Sequence, residues 1–119
     1  MNPATGLAAA RVLIGGLAVA SPELGVKIFR LDPTANPQLP YMARLFGSRE
    51  IMLGAATLLA RGKTRRNLVL AGVGVDAADT VAAVLAGQSG SVDRTTQVLL
   101  AVPAAAAVLA GLGGLRPRS

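Results

Sequence analysis

Asp76 and Asp79 stand three residues apart in GVDAADTVAA (74–83), inside an apolar stretch that holds no basic residue between Asn67 and Asp93. On a helix, positions i and i+3 share a face. Two carboxylates so placed can hold a divalent cation, share one proton, or pair with a planar guanidinium that serves two acceptors at once. The other charges set among apolar residues are Arg11, Arg44, Arg49 and Glu50. Three of these six side chains are positive and three negative, so pairing is the first expectation. The chain has no cysteine and no histidine. That removes thiolate chemistry, the commonest general base and most zinc and haem ligation. No catalytic, cofactor-binding or metal-ligating set is complete, and the expectation is a protein that is not an enzyme and carries no cofactor.

The elements that must position these charges follow from composition. With 119 residues, 52% hydrophobic and 15% charged, the chain suits a single domain in contact with lipid. Four apolar segments, about 4–20, 40–60, 68–85 and 95–115, each approach the ~17–25 residues that cross a hydrocarbon core. Ser21-Pro22, the 33–40 stretch, 61–67 and 87–90 punctuate them. The fold class expected is all-α: an integral membrane bundle of four transmembrane helices forming one domain over 1–119. Arg11 lies mid-segment, with no basic leader before it, so the first segment reads as a span and not as a signal peptide.

Four spans place both termini and the 61–67 loop on one side. That side carries Arg61, Lys63, Arg65, Arg66, Arg116 and Arg118 and no acid, whereas the 21–40 and 87–94 loops carry Lys27, Arg30 and Arg94 against Glu23, Asp32 and Asp93. By the positive-inside rule both termini are expected in the cytoplasm; the membrane expected is the inner (plasma) membrane. The cytoplasmic basic loop suits anionic membrane lipid. With one Tyr, two Phe and no Trp there is nothing to stack bases, and no nucleic-acid partner is expected.

Depth refines the pairing. At ~1.5 Å per residue, Arg49, Asp76 and Asp79 all fall near the middle of a ~30 Å core. Segments two and three are consecutive and antiparallel, so Arg49 is expected to clamp Asp76, Asp79 or both. Arg44 is expected to snorkel outward and Arg11 inward. Glu50, rotated by about 100° from Arg49, needs another partner: Arg11 or a second subunit. Ser21-Pro22-Glu23 reads as the start of a short outer interfacial helix or an extension of the first span, with Phe29 and Tyr41 at headgroup level. Small residues at four-residue spacing (Ala43/Gly47, Gly74/Ala78/Ala82, Ala107/Gly111) allow close helix approach, and Pro103 is expected to kink the last span.

Several families share fragments of this pattern. CDP-alcohol phosphotransferases place a Gly after the first acid pair and a second pair a helix later; here Thr80 follows, and the last segment has no acid. The GxGD stretch of intramembrane aspartyl proteases is off by one residue from Gly72-Val73-Gly74-Val75-Asp76. Small multidrug transporters carry a carboxylate in their first span, where this chain has Arg11. YMARLFGSREIMLGAATLLARG, followed by GVGVDAADTV, resembles the small four-helix DoxX-like membrane proteins of actinobacteria: Arg44-x-x-Gly47-x-Arg49-Glu50, Leu53-Gly54, the basic loop and Asp76-x-x-Asp79 carry the likeness. The resemblance implies an accessory or stabilising subunit of a larger cell-envelope complex, such as a Mce-type lipid importer. The alternative is a small proton-coupled transporter or channel working as a homo-oligomer.

Overall fold

In the computed structural model, residues 2–115 are described, and they form five helices with no strand among them. They are α1 (Pro3–Ala20), α2 (Pro22–Ile28), α3 (Leu39–Leu59), α4 (Gly62–Gln88) and α5 (Arg94–Gly114). Local chemistry sets the ends. The Asn2 side chain accepts from the Ala4 amide at 2.7 Å and Pro3 opens α1. Asp93 does the same for α5 through the Thr96 amide at 2.8 Å. Helix α2 forms as the sequence suggests, but Ser21 gives no side-chain cap; only its carbonyl accepts, from Leu24 N at 3.1 Å. After α2 the chain turns at Arg30, whose φ of 59° is left-handed. There Leu31 N reaches back to Val26 O at 3.0 Å and closes the helix end.

Four long helices were expected to cross a membrane, and three are long and apolar enough: α1, α4 and α5. Helix α3 has the length, 21 residues. Arg44, Arg49 and Glu50 all fall within every 18-residue window of it, and that charge load separates it from the others. The third segment also begins earlier than expected. Gly62, Lys63, Arg65 and Arg66 belong to the first turns of α4, because Lys and Arg are good helix formers and Ala60-Arg61 suffices to reverse the chain. The basic stretch is therefore mostly helix and not loop. Pro103 lies inside α5, which remains one helix. Arg116 and Arg118, part of the charge asymmetry, lie outside the described residues.

The long helices pack as two antiparallel pairs, α1 with α3 and α4 with α5, while α3 and α4 touch over a shorter stretch. Consecutive order makes α3 and α4 neighbours, which they are, but the more extensive packing lies elsewhere. Glycine decides the first pair: a Cβ on Gly15 would lie 2.5 Å from the Gly47 carbonyl oxygen, and one on Gly54 2.5 Å from that of Ala8. Backbones this close admit no side chain on either helix. At one end of the bundle Arg65 donates to the Thr5 hydroxyl, and Asn2 donates to Gly114 O at 3.3 Å. At the other, Arg44 Nε donates to Val19 O at 3.2 Å and Gln97 Nε2 to Val84 O at 3.0 Å. The start of α1, the end of α5 and the basic start of α4 thus share one end.

Burial is inverted relative to a water-soluble domain. Arg11, Glu50, Thr57, Asp76 and Thr96 are buried, along with small residues such as Ala4 and Ala8. Leu13, Ile14 and Leu17 of α1, Met52 and Leu59 of α3, Val81 and Leu85 of α4, and Val102 and Leu109 of α5 are exposed. Large apolar side chains outside and charges inside are what a hydrocarbon solvent selects.

Candidate functional site: a chain of charges across three helices

Arg11 sits midway along α1, about 12 Å from its N-terminal end; Glu50 lies about 16 Å along α3 and Asp76 about 21 Å along α4 at the usual helical rise. All three meet at the centre of the bundle. Arg11 Nη1 donates to Glu50 Oε2 at 2.7 Å and to Asp76 Oδ1 at 3.1 Å, and Nη2 donates to Asp76 Oδ2. The fork is bidentate toward Asp76 and monodentate toward Glu50, a geometry that a lysine could not reproduce. Gly72, one turn before Asp76, makes room: a Cβ there would stand 3.0 Å from Arg11 Nη2.

The chain of charges continues on the α3 side. Glu50 Oε1 accepts from Arg49 Nη2 at 3.1 Å, and Arg49 grips Asp79 through Nη2–Oδ2 at 2.7 Å and Nη1–Oδ1 at 3.4 Å. The order is Asp76, Arg11, Glu50, Arg49, Asp79, alternating in sign along its length. The two ends differ. Arg11, Glu50 and Asp76 are enclosed, whereas the Arg49 and Asp79 side chains are 39% and 34% exposed. Arg49 also lies 5.2 Å from the Phe46 ring centroid, a cation–π contact, and its buried Nε has no partner.

These positions correct two expectations and meet two. Of the two aspartates, Arg49 clamps Asp79. Arg11 does not snorkel to an interface; it is the central cation, because Glu50 and Asp76 compensate its charge inside the bundle. Arg49 and Glu50, adjacent in sequence and on different faces, still meet, since the long guanidinium reaches around the helix. Glu50 does take Arg11 as partner, one of the two options open to it, and Arg49 does pair with one of the two aspartates. Arg44 ends as a cap, feeding a carbonyl in the last turn of α1 that has no intrahelical donor. Comparison with known protein families, curated proteins and solved structures finds no match.

Glu50, Asp76 and Asp79 each bring a carboxylate oxygen within 4.8 Å of the others, a spacing that one cation could serve. In this arrangement the guanidiniums of Arg11 and Arg49 supply that positive charge. Three carboxylates face two guanidiniums, so the cluster is formally −1 when all are ionised. Access from the basic end is slight. A crevice of about 10 Å³, lined in part by Ala8, Arg11, Thr57 and Gly72, reaches the cluster, room for about one water molecule. Chemically the arrangement can fix three helices to one another and present one half-exposed ion pair at its rim. Sequence reasoning found every member of the cluster, but not that Arg11 is its centre. The signal available was Gly72, a small residue one turn from Asp76.

Proposed function

We propose that this chain is a multi-pass protein of the inner membrane, with α3 as a fourth span and both termini cytoplasmic. The positive charges that bar α3 on composition alone are compensated inside the bundle at Arg49 and drawn to the helix end at Arg44. With the spans so arranged, Lys63, Arg65 and Arg66 cluster with the α1 start and the α5 finish, which the positive-inside rule assigns to the cytoplasm.

Within that membrane we read the protein as a non-catalytic accessory or stabilising subunit of a larger complex. The observation that carries this reading is the mutual pairing of the cluster's enclosed members, Arg11, Glu50 and Asp76. Its buried carboxylates, Glu50 and Asp76, are already matched to guanidiniums, and the crevice that reaches them from the basic end has room for about one water. Intramembrane charges paired across helices can fasten those helices to one another, since breaking such a pair strands a buried charge. The likeness of Arg44-x-x-Gly47-x-Arg49-Glu50 and Asp76-x-x-Asp79 to DoxX-like proteins supports an envelope assembly, and lipid transport is the process such assemblies suggest.

The test is purification of the tagged chain at native expression level in mild detergent, with quantitative mass spectrometry of what accompanies it. The reading expects other membrane polypeptides in a fixed ratio to this chain. Recovery of the chain with no other polypeptide overturns it and moves the question to proton flux through Asp76 and Asp79 variants.

A further inference from the structure

The rim of the charge cluster has no cover. Arg49 and Asp79 sit near the middle of their helices, at the depth where an ion pair is least tolerable against lipid, yet each keeps more than a third of its side chain exposed. Hydrogen bonding is also incomplete there. Arg49 makes three side-chain hydrogen bonds of the five its guanidinium can donate, and only one of its unused N–H groups, on Nη1, is free to meet a partner, because Nε is sealed from outside. The Asp79 oxygens each keep a lone pair.

A second, independent feature flanks the pair. The outward face of α4, which meets Asp79 at Ala82 three residues on, presents Ala71, Gly74, Ala78 and Ala82, all exposed, and a Cβ on Gly74 would meet nothing within 4 Å. Exposed Leu70, Val81 and Leu85 border this strip on α4, and the outward faces of α1 and α5 carry Leu13, Leu17, Val102 and Leu109. Gly15, Gly47 and Gly54 lie where backbones touch, while Gly16 of α1 is as open as Gly74 but lacks an uncovered ion pair beside it. On α4 the strip of small residues is left open next to an uncovered ion pair.

We propose that this face receives a second copy of the same chain, α4 against α4 about a twofold axis. The charges select that occupant. A surface that shows one cation beside one anion is its own complement under twofold rotation, so Arg49 Nη1 of each copy faces Asp79 of the other, and four alternating charges close into a ring. The small strip lets the two α4 backbones approach closely enough for that reach. The pairing is independent of the accessory role: a dimer can stand alone or within a larger complex.

The absence of native cysteine makes the test direct. Ala78→Cys and Ala82→Cys single variants are oxidised in membranes at native expression level, with Leu13→Cys and Leu109→Cys as equally apolar, exposed comparisons. A chain-to-chain disulfide is expected to form at least about tenfold faster at 78 and 82 than at 13 and 109. Adding Asp79→Asn to Ala82→Cys is expected to slow it by about tenfold, the equivalent of one interhelical polar contact in a bilayer. Helix content of each variant is read in parallel by circular dichroism, and Ala71→Cys provides a second reporter should Ala78→Cys fail to fold. Equal rates on all faces, or attachment at 78 and 82 to a different polypeptide, would overturn the proposal. Partner polypeptides recovered without such a disulfide would sink the dimer and leave the accessory reading standing.

Discussion

Arg11→Met separates a fastening role for the charge cluster from an incidental one. The variant keeps most of the apolar stem and removes the guanidinium that bridges Glu50 and Asp76, each 4% exposed. Glu50 retains Arg49, but Asp76 loses its one ionic partner. Breaking a buried pair from one side costs about 3–5 kcal/mol, chiefly because a charge stays behind without compensation. Arg11→Lys keeps the charge but cannot fork to two carboxylates, and a loss of about 1–2 kcal/mol is expected from the hydrogen bonds forgone. Arg11→Met/Asp76→Leu removes both charges, and is expected to recover most of the loss, since apolar replacement of a buried pair is often neutral. The assay is unfolding of the detergent-solubilised chain by SDS titration, followed by far-ultraviolet circular dichroism. An Arg11→Met loss below about 1 kcal/mol, or a double variant no more stable than the single, would refute the idea that the cluster holds the bundle together.

Arg49→Ala is expected to cost less than Arg11→Met, about 1–2 kcal/mol in the same titration, because Arg49 and Asp79 are part-exposed at the rim. Gly47→Ala places a methyl 2.6 Å from the Gly15 carbonyl oxygen; forcing α1 and α3 apart is expected to lower stability by about 1–3 kcal/mol, read as a drop in detergent melting temperature. The Asp93 carboxyl is held below its ordinary value by hydrogen bonds from the Thr96 amide and then the Thr96 hydroxyl. A lowered folded-state value means that the contribution is fully present above the usual carboxyl range, near ~4, and fades as pH falls through the lowered value. Melts of parent and Asp93→Asn between pH 5 and pH 2.5 check this, with the parent losing more on acidification; parallel curves would dismiss the cap as a source of pH dependence. For orientation, Ser91→Cys is expected to react with an impermeant maleimide from outside intact cells and Lys63→Cys only after permeabilisation. The reverse pattern would invert the proposed topology.

Much of the architecture was legible because hydrocarbon imposes simple demands. Apolar length found all four long helices, and the punctuation at Ser21-Pro22 and 87–90 fell close to the observed ends. The basic 61–67 run misled, since charge looks like loop in a hydropathy reading although Lys and Arg extend a helix readily; α4 accordingly begins at Gly62. Sequence also named every member of the charge cluster while misjudging its wiring. Pairing inferred from sequence order favours neighbours such as α3 and α4, but the closest backbone approach belongs to α1 and α3, fixed by Gly15, Gly47 and Gly54. That approach sets Arg11 at the centre of the bundle. Once it is there, Glu50 and Asp76 are its nearest acceptors, and Arg49 is left to hold Asp79 at the rim. The exposed end of the cluster is therefore a consequence of glycine placement on the opposite side of α3. Packing decides which charges are enclosed in the bundle and which stay part-exposed at its rim.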